Sequence, residues 1–423
     1  ERHLAAANLA RDEALSLYLH LPFCRERCLF CGCNVIVAPR PEQARPYLEL
    51  LAQEARLVAE RLPDRRRVSQ LHLGGGTPTY FSPRELTILL DVLLTLFRPL
   101  ETAEMAVEVD PRVTTSEHVA ALAALGFNRM SLGVQDLDPR VQEAIGRRQS
   151  PRQTAALVAE ARRQGFEGIN VDLIYGLPHQ SRDGFRRTVE AVTGLGVDRI
   201  ALYSFGFVPW VHPHQKRIAE EALPAREDKY TLFAEARERI LGAGYEAIGM
   251  DHFARPGDEL AEARRRGRLR RNFQGYTALD VGDVVGLGVS AIGDVAGGYF
   301  QNTKKLSVYS EGLGRGRLPT AKGLVRSADD EARRAVIEAL MCNFAVDFTA
   351  VEQAHDLVFR DAFRDDLDLV AAYESDGLAE VGEARIDVTE RGRPFVRNLA
   401  MCFDRYRRER RVGEATPTFS RTV

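Results

Sequence analysis

The 423-residue sequence contains no apolar run near the roughly 18 residues that a helix needs to cross a bilayer. Its first residues lack the charged segment, apolar core and cleavage site of a secretory leader. It has a single tryptophan, no internal repeat and no low-complexity tract. An excess of one charge is also missing, because 58 basic residues are balanced by 60 acidic ones, giving a net charge of −2. We therefore expect no membrane partner and no nucleic-acid partner.

Cysteine is scarce and unevenly distributed. Four of the six cysteines lie in the pattern Cys24-x3-Cys28-x2-Cys31-x-Cys33, and the other two are single and distant. The two separated ligand pairs typical of structural zinc are therefore missing, and C-x-C spacing is unfavourable for a disulfide. Dense thiolates suit an iron–sulfur cluster, zinc or copper(I), and three on one tight loop favour a [4Fe–4S] cluster with one iron open to a ligand. Such thiolates, with no leader, indicate a reducing cytoplasm.

Apolar segments alternate with amphipathic ones along the first half of the chain. Strands are predicted at 16–21, 68–73, 106–109, 129–134, 169–175 and 199–205. Helices are predicted between them at 45–62, 83–97, 116–125, 151–164 and 182–195. Six such units indicate an α/β fold in which a parallel sheet curls into a partial (β/α)6 barrel, with functional groups at the carboxyl ends of the strands.

The composition changes near 320–328, and this change predicts two domains. We expect a catalytic domain over 1–320, made of the partial barrel and an extension. A smaller, mostly helical domain with a winged-helix-like arrangement is expected over 321–423, where a lid or packing role is favoured over DNA binding. The first residues resemble the middle of a helix, so we also expect native sequence to precede Glu1.

Polar residues and glycines collect where the predicted strands end. A run of three glycines ends at Gly76 after the second strand, and such residues let backbone groups approach a ligand closely. Glu108 ends the third strand, where a carboxylate suits ribose hydroxyls, whereas Asp110 precedes a proline and is typical of a turn. Asp172 lies in an apolar strand and needs a partner, for which Arg147 is one candidate.

The cysteine spacing and the glycine-rich segment after the second strand resemble the radical S-adenosylmethionine (SAM) superfamily. The resemblance implies that Cys24, Cys28 and Cys31 hold a [4Fe–4S] cluster and that SAM binds the open iron. An electron from the reduced cluster then cleaves SAM to methionine and a 5′-deoxyadenosyl radical. Another thiolate metal site is the alternative.

Further segments resemble the oxygen-independent coproporphyrinogen III oxidases across almost the whole chain. The matching segments are 18–24, 31–34, 74–79, 108–112, 133–136, 172–178, 249–255, 271–277 and 401–404. The resemblance implies two SAM molecules in one pocket. Contacts to the cluster-bound SAM are expected from Tyr18, Gly75, Glu108 and Ile292. Contacts to the second SAM are expected from Phe30, Gly76, Thr77, Gln135, Arg147, Asp172 and Gly206, the last at a position where the family has alanine. Tyr18 and Cys33 are expected at the reaction centre, with Cys33 not bound to iron.

The implied reaction is the oxidative decarboxylation of two propionates of coproporphyrinogen III to vinyl groups, which gives protoporphyrinogen IX for heme synthesis. The resemblance further implies an electron donor such as a flavodoxin or ferredoxin, and we expect a monomer. Cations are needed for the substrate carboxylates. The candidates are Arg25, Arg27, Arg255, Lys304 and Lys305.

Three alternative functions are compatible with parts of the sequence. A heme-binding chaperone of the same fold usually lacks the cysteine at position 33 and carries a tryptophan later in the chain. A heme-degrading radical SAM methyltransferase is an enzyme of another reaction type. A winged-helix regulator with an iron–sulfur sensor fits poorly, because the predicted barrel occupies most of the chain.

Overall fold

A computed structural model of the protein describes residues 1–280 and 282–411. Its strands are β1 (Leu15–Leu21), β2 (Phe23–Cys24), β3 (Ile36–Val37), β4 (Arg67–Gly75), β5 (Arg98–Val109), β6 (Arg129–Gln135), β7 (Gly168–Tyr175), β8 (Arg199–Ser204), β9 (Glu246–Ile248), β10 (His252–Ala254), β11 (Arg270–Arg271), β12 (Tyr276–Thr277), β13 (Val284–Leu287), β14 (Ile292–Val295), β15 (Gly298–Asn302), β16 (Thr320–Val325), β17 (Ala345–Asp347), β18 (Ala379–Val381) and β19 (Arg385–Val388).

The α-helices are α1 (Arg2–Ala7), α2 (Arg45–Arg61), α3 (Pro83–Leu96), α4 (Ser116–Ala124), α5 (Pro139–Ala144), α6 (Pro151–Arg163), α7 (Arg182–Gly194), α8 (Arg226–Gly242), α9 (Glu259–Arg265), α10 (Leu306–Gly314), α11 (Ala328–Asn343), α12 (Phe348–His355), α13 (Phe359–Ala362), α14 (Arg364–Ser375), α15 (Val396–Ala400) and α16 (Arg405–Arg411). Within the described ranges, none of the helices is both long enough and apolar enough to cross a membrane.

The first of two compact units contains Glu1–Ala243 and 282–325. In its sheet, β1, β4, β5, β6, β7 and β8 are successive neighbours and run parallel. The predicted α/β fold with a partial (β/α)6 barrel is thereby confirmed. Alternate residues of β6 and β7, such as Ser131 and Asp172, are only partly buried, whereas the residues between them are buried. In β1 every side chain except Tyr18 is buried.

Local sequence signals explain why the crossover helices begin where they do. Ser82 and Glu85 form a reciprocal capping box at the start of α3, and Ser150 and Gln153 do the same for α6. Each of these helices also has proline in its first turn, where no backbone donor is lost. The sequence signals therefore place the helix starts, and the strand ends that precede them form one edge of the sheet.

The sheet extends beyond the predicted six strands. β13 pairs in parallel with β1 on the side opposite β4, and β14, β15 and β16 follow it in antiparallel order. No strand is predicted from the sequence at 282–298, because its glycines weaken the alternation that marks a strand. This extension brings Ile292 beside the start of the barrel.

The second unit contains Gly244–Asp280 and residues from Arg326 onward. Its three-stranded antiparallel sheet has the order β17, β19, β18, and a phenylalanine cluster fills its core. Phe348 stacks on Phe359 at a ring-centroid distance of 4.0 Å, and Phe359 contacts Phe363 at 4.7 Å. The domain division at 320/321 stays a prediction, and the compact units of the structure divide the chain at 325/326, with 244–280 in the second unit.

Candidate active site

The cysteine loop follows β1 and packs against the segment after β4. Cys24 lies 3.4 Å from the Thr77 hydroxyl, measured from sulfur to oxygen. Burial raises the pKa of Cys24 to about 11. The Cys31 thiol is hydrogen-bonded to Cys33, and this contact, helped by nearby Arg27 and Arg147, lowers the pKa of Cys31 to about 7. Cys28 is buried, whereas residue Cys33 is exposed and its thiol bonds to Cys31.

Two arginines contact the buried Cys28 thiol and share one carboxylate. Nη2 of Arg112 and Nη1 of Arg147 each lie 3.6 Å from Cys28 Sγ. Arg112 donates to Asp110 at 2.7 Å and Arg147 donates to it at 2.9 Å. Burial alone would raise the pKa of Asp110, but Arg147 and Arg112 hold it below the usual range. Asp110 therefore forms a turn, as predicted, and also fixes two cations beside a cluster thiol.

Glu108 lies two residues earlier on the same strand, and its partners are a histidine and a backbone N–H. Its carboxylate accepts from the backbone N–H of Gly75 at 3.1 Å and from Nε2 of His72 at 3.2 Å. A Cβ on Gly74 would lie 2.9 Å from the Glu108 carboxyl group, so glycine is required there for the carboxylate to reach this position. The Glu108 side chain is 43% exposed, whereas that of Asp110 is 7% exposed. Glu108 is the carboxylate that a ligand can reach.

Tyr18 begins a short hydrogen-bond chain that passes through His20. Its hydroxyl donates to Nδ1 of His20 at 3.0 Å, and Nε2 of His20 donates to the Asn34 carbonyl at 3.1 Å. Burial lowers the pKa of His20, which agrees with a neutral ring that accepts at one nitrogen and donates at the other. Burial and the nearby Glu108 and Cys33 raise the pKa of Tyr18 well above its usual range. The structure therefore brings Tyr18, Glu108 and Cys33 together.

Ile292 joins this group through the added strands. Gly286 of β13 is the register partner of Tyr18, and a Cβ on Gly286 would meet the Ile292 carbonyl at 2.5 Å. The backbone at Ile292 therefore crosses directly over the glycine beside Tyr18. Of the contacts predicted for the cluster-bound SAM, Tyr18, Gly75, Glu108 and Ile292 all lie at this end of the sheet.

The residues predicted to contact a second SAM divide into two groups. Phe30, Gln135, Asp172 and Gly206 line one cavity of about 420 Å³. Asp172 accepts from the amide of Asn170 at 2.7 Å and from Ser131 at 3.2 Å.

Gly76, Thr77 and Arg147 are not among the residues lining that cavity. A Cβ on Gly76 would lie 2.7 Å from the backbone of Pro22, so this glycine packs against the first loop. Thr77 lines a separate cavity of about 420 Å³ together with Cys24, Asp110 and Arg112. Arg147 donates to the Gly133 carbonyl in addition to Asp110, so the partner proposed for Asp172 is held by another carboxylate.

Sequence reasoning missed several residues at the site. Arg112 belongs to a segment that resembles the family, yet its contact with Cys28 depends on a turn that only the structure shows. His212 lines the same cavity as Phe30 and Asp172 but lies in a loop after β8 with no recognised motif. Its pairing with His214 in an H-x-H pattern was the one available signal.

The donor set fits an iron–sulfur cluster. Cys24, Cys28 and Cys31 influence one another electrostatically, and arginines next to them can balance the charge of thiolates and cluster. Among the described residues, no three His, Cys, Asp or Glu side chains converge as they would on one ion. A [4Fe–4S] cluster does not require such convergence, since each thiolate binds a different iron atom.

Comparison with known proteins places the chain in a class and then in a family. Residues 18–192 match the radical SAM superfamily, and residues 327–395 match the HemN C-terminal domain. The protein is thus a radical SAM enzyme, which uses a [4Fe–4S] cluster and SAM. It is 44% identical to the oxygen-independent coproporphyrinogen III oxidase of Salmonella typhimurium over 94% of this chain and 87% of that protein. The identity to the Escherichia coli enzyme is 42%, over 94% of this chain and 87% of that one.

The solved structure of the Escherichia coli coproporphyrinogen III oxidase agrees with this chain at a TM-score of 0.93, covering 96% of this chain and 94% of that one. The chain belongs to the family of oxygen-independent coproporphyrinogen III oxidases. The family predicted from the sequence motifs is confirmed.

Proposed function

We propose that the protein converts coproporphyrinogen III to protoporphyrinogen IX without oxygen, as a step of heme biosynthesis. Each of two propionates loses one hydrogen atom, CO₂ and one electron and becomes a vinyl group. The observation that carries the proposal is the three-thiol loop beside the exposed Cys33, in a chain 44% identical to a named oxidase over 94% of its length. The alternative heme carrier is less favoured, because Cys33 is present.

We infer that Cys24, Cys28 and Cys31 hold the cluster. When bound, the cluster and SAM supply the one-electron chemistry that removes hydrogen atoms from the substrate. Arg147 and Arg112 stand beside Cys28 and share the carboxylate of Asp110, so two cations lie next to this proposed cluster ligand.

The first SAM is assigned to Tyr18, Gly75, Glu108 and Ile292. Glu108 accepts from ribose hydroxyls in this proposal, which its 43% exposed side chain allows. Tyr18 stays protonated at neutral pH because its pKa is raised, so it acts as a neutral donor. Cys33 is proposed at the reaction centre, where its thiol neighbours both Cys31 and Glu108.

A second SAM is proposed for the cavity lined by Phe30, Gln135, Asp172 and Gly206. Gly76, Thr77 and Arg147 remain proposed contacts, although each has a protein partner in this structure. We further propose a flavodoxin or ferredoxin as electron donor, a monomeric state and a cytoplasmic location. A catalytic domain over 1–320 and a lid over 321–423 complete the proposal.

The test is an anaerobic incubation with coproporphyrinogen III, SAM, a reductant and an excess of electron acceptor. We expect two 5′-deoxyadenosine molecules per protoporphyrinogen formed, with a monovinyl intermediate, because each propionate requires one hydrogen abstraction. Tetrapyrroles and 5′-deoxyadenosine are quantified by chromatography. Cys28→Ser should be inactive, whereas Cys402→Ser, which removes a buried thiol of the second unit, should keep activity. Heme binding without any decarboxylated product, in this chain and in an N-terminally extended version, would overturn the proposal.

A further inference from the structure

Lys229 of α8 is a partly buried lysine that the proposed mechanism does not use. Its Nζ donates to the backbone carbonyl of Phe205 at 2.9 Å. The same ammonium lies 5.8 Å from the centroid of the Tyr175 ring, at the end of β7. Among the residues that the structure describes, no carboxylate forms an ion pair with Lys229. Its charge therefore meets one carbonyl and one aromatic ring.

The backbone at the end of β7 makes room for this side chain. A Cβ on Gly176, the residue after β7, would lie 2.6 Å from Cε and 3.0 Å from Cδ of Lys229. Glycine at this position lets the stem of Lys229 cross the end of β7 and reach the loop after β8. Burial lowers the pKa of Lys229 to about 8, because it disfavours the charged form.

Stability does not explain a lysine at this position. A buried charge without a counter-charge opposes folding, and a methionine would fill much of the same space without a charge. Groups that oppose folding are expected where function requires them. The contact that the Lys229 ammonium makes is therefore the place to look for its role.

The carbonyl that Lys229 holds belongs to the cavity proposed for the second SAM. Phe205 and Gly206 both line that cavity. Glycine leaves the backbone free to adopt other conformations, so a wall that contains Gly206 needs support from its neighbours. The buried Gln215 amide donates to the Gly206 carbonyl at 3.1 Å, and Lys229 holds the preceding carbonyl. Since a charge-assisted hydrogen bond is about twice as strong as a neutral one, Lys229 makes the stronger of the two contacts.

We propose that Lys229 is a positioning residue for the second SAM, because its hydrogen bond to the Phe205 carbonyl fixes the wall formed by Phe205 and Gly206. This inference rests on the proposed function, which assigns the second SAM to this cavity. Lys229 acts through the backbone of the loop after β8 and not by contact with SAM.

The test is the binding of SAM to the cluster-loaded full chain, measured by anaerobic equilibrium dialysis with the cluster oxidised, so that SAM is not cleaved. The wild type should bind two SAM molecules. Lys229→Met keeps most of the stem and removes the donor, and it should weaken one of the two sites by about tenfold. Glu108→Gln should weaken the other site, which identifies that site as the one at the cluster. Lys322→Met, the same change at an exposed position of β16, should leave both affinities unchanged.

Three further measurements separate positioning from a role in the fold. In turnover assays, Lys229→Met should raise KM for SAM by about tenfold with kcat within about twofold, the pattern of lost binding. Urea unfolding should show no loss of stability, because the substitution removes a buried charge. Lys229→Arg keeps a charged donor and should bind the second SAM more tightly than Lys229→Met.

The outcomes that contradict the inference differ from those that contradict the proposed function. Unchanged affinity of Lys229→Met at both sites, when the wild type binds two SAM molecules, would overturn this inference alone. Equal weakening of both sites, together with a lower free energy of unfolding, would assign Lys229 to the fold instead. A wild type that binds one SAM would overturn the second site and this inference with it. Absence of turnover by the wild type would overturn the proposed function itself.

Discussion

The two sides of the cysteine loop each carry a carboxylate, but the two carboxylates differ in their partners and in their exposure to solvent. On the Cys28 side, Asp110 is 7% exposed and bonded to two arginines. On the Cys33 side, Glu108 is 43% exposed and bonded to a histidine and a backbone N–H. The first arrangement satisfies its charges within the protein, and the second leaves them accessible. Two carboxylates of similar chemistry therefore have different roles: the one paired with arginines stabilises the site, and the exposed one can bind a ligand.

The cations of the two sides differ in the same manner. Arg112 and Arg147 have a carboxylate partner beside the buried thiol. On the Cys33 side, Arg27 is exposed and donates to the backbone carbonyl of Val35. Breaking the internal pairs should therefore reduce stability, whereas changing the accessible groups should reduce affinity.

The largest effect is expected for the thiols themselves. Serine in place of Cys24, Cys28 or Cys31 should abolish the cluster, because three thiolates are the minimum protein ligand set. Cys33→Ser should keep the cluster and lose activity. Iron and sulfide analysis after anaerobic reconstitution measures this. Loss of iron from Cys33→Ser would show that Cys33 is itself a cluster ligand, and the contrast between the Cys28 side and the Cys33 side of the loop would then be wrong.

A smaller effect is expected when the buried carboxylate is neutralised. Asp110→Asn should lower the free energy of unfolding by about 3–5 kcal/mol, because the buried Arg147 and the partly buried Arg112 lose their counter-charge. Glu108→Gln is the matched change two residues away, and it should cost about 1 kcal/mol or less, since Glu108 bonds to one imidazole and one backbone N–H and its side chain is 43% exposed. Anaerobic urea unfolding of the cluster-loaded protein measures both. Equal losses would contradict the contrast between the paired and the accessible carboxylate.

The affinity for SAM should respond to the same two substitutions in the reverse order. Glu108→Gln should weaken SAM binding by about 1.5–3 kcal/mol, because ribose hydroxyls lose a charged acceptor. Asp110→Asn should weaken it less. Equilibrium titration of the cluster-loaded variants with SAM checks the order. A larger loss for Asp110→Asn would mean that Asp110, not Glu108, faces the ligand.

The smallest effect concerns Glu54, a buried carboxylate that pairs with no cation among the residues that the structure describes. Glu54 accepts from the Gly288 N–H at 2.7 Å, from the Asn302 amide at 2.7 Å and from the Tyr309 hydroxyl at 2.5 Å. Burial raises its pKa to about 7. A raised pKa means that the folded state binds the proton more tightly than the unfolded state. This stabilisation is complete below the unfolded value of about 4.3 and is lost as the pH rises through 7.

Glu54→Gln should therefore gain stability relative to the wild type as the pH rises from about 5 to 8, by about 1–3 kcal/mol. Urea unfolding at several pH values measures the difference. Asp110 should behave oppositely, because its lowered pKa adds stability above its unfolded value and loses it in acid. A pH-independent difference for Glu54→Gln would show that Glu54 stays ionised in the folded protein.

Much of the barrel was predictable because its signals are local. Segment lengths, capping residues such as Ser82 and apolar strands depend on neighbours in the chain, so most of the six parallel strands and their helices were predicted within two residues. The exceptions are β5, which begins at Arg98 and not at 106, and α5, which was not predicted. The extension by β13 to β16 was not predicted. Gly286, one of its glycines, is required because the backbone of Ile292 passes too close for a side chain. That requirement depends on the tertiary structure and not on neighbours in the sequence.

The sequence by itself determined the chemistry of the site, because the spacing of Cys24, Cys28 and Cys31 on one loop depends on no distant contact. It also predicted Glu108 as the accessible carboxylate. Only the tertiary structure decided that Arg147 bonds to Asp110 and that His212 lies over Gly32. Residues from separate strand ends meet only after the sheet has formed, so the partners of a charge follow from the fold and not from its neighbours in the chain.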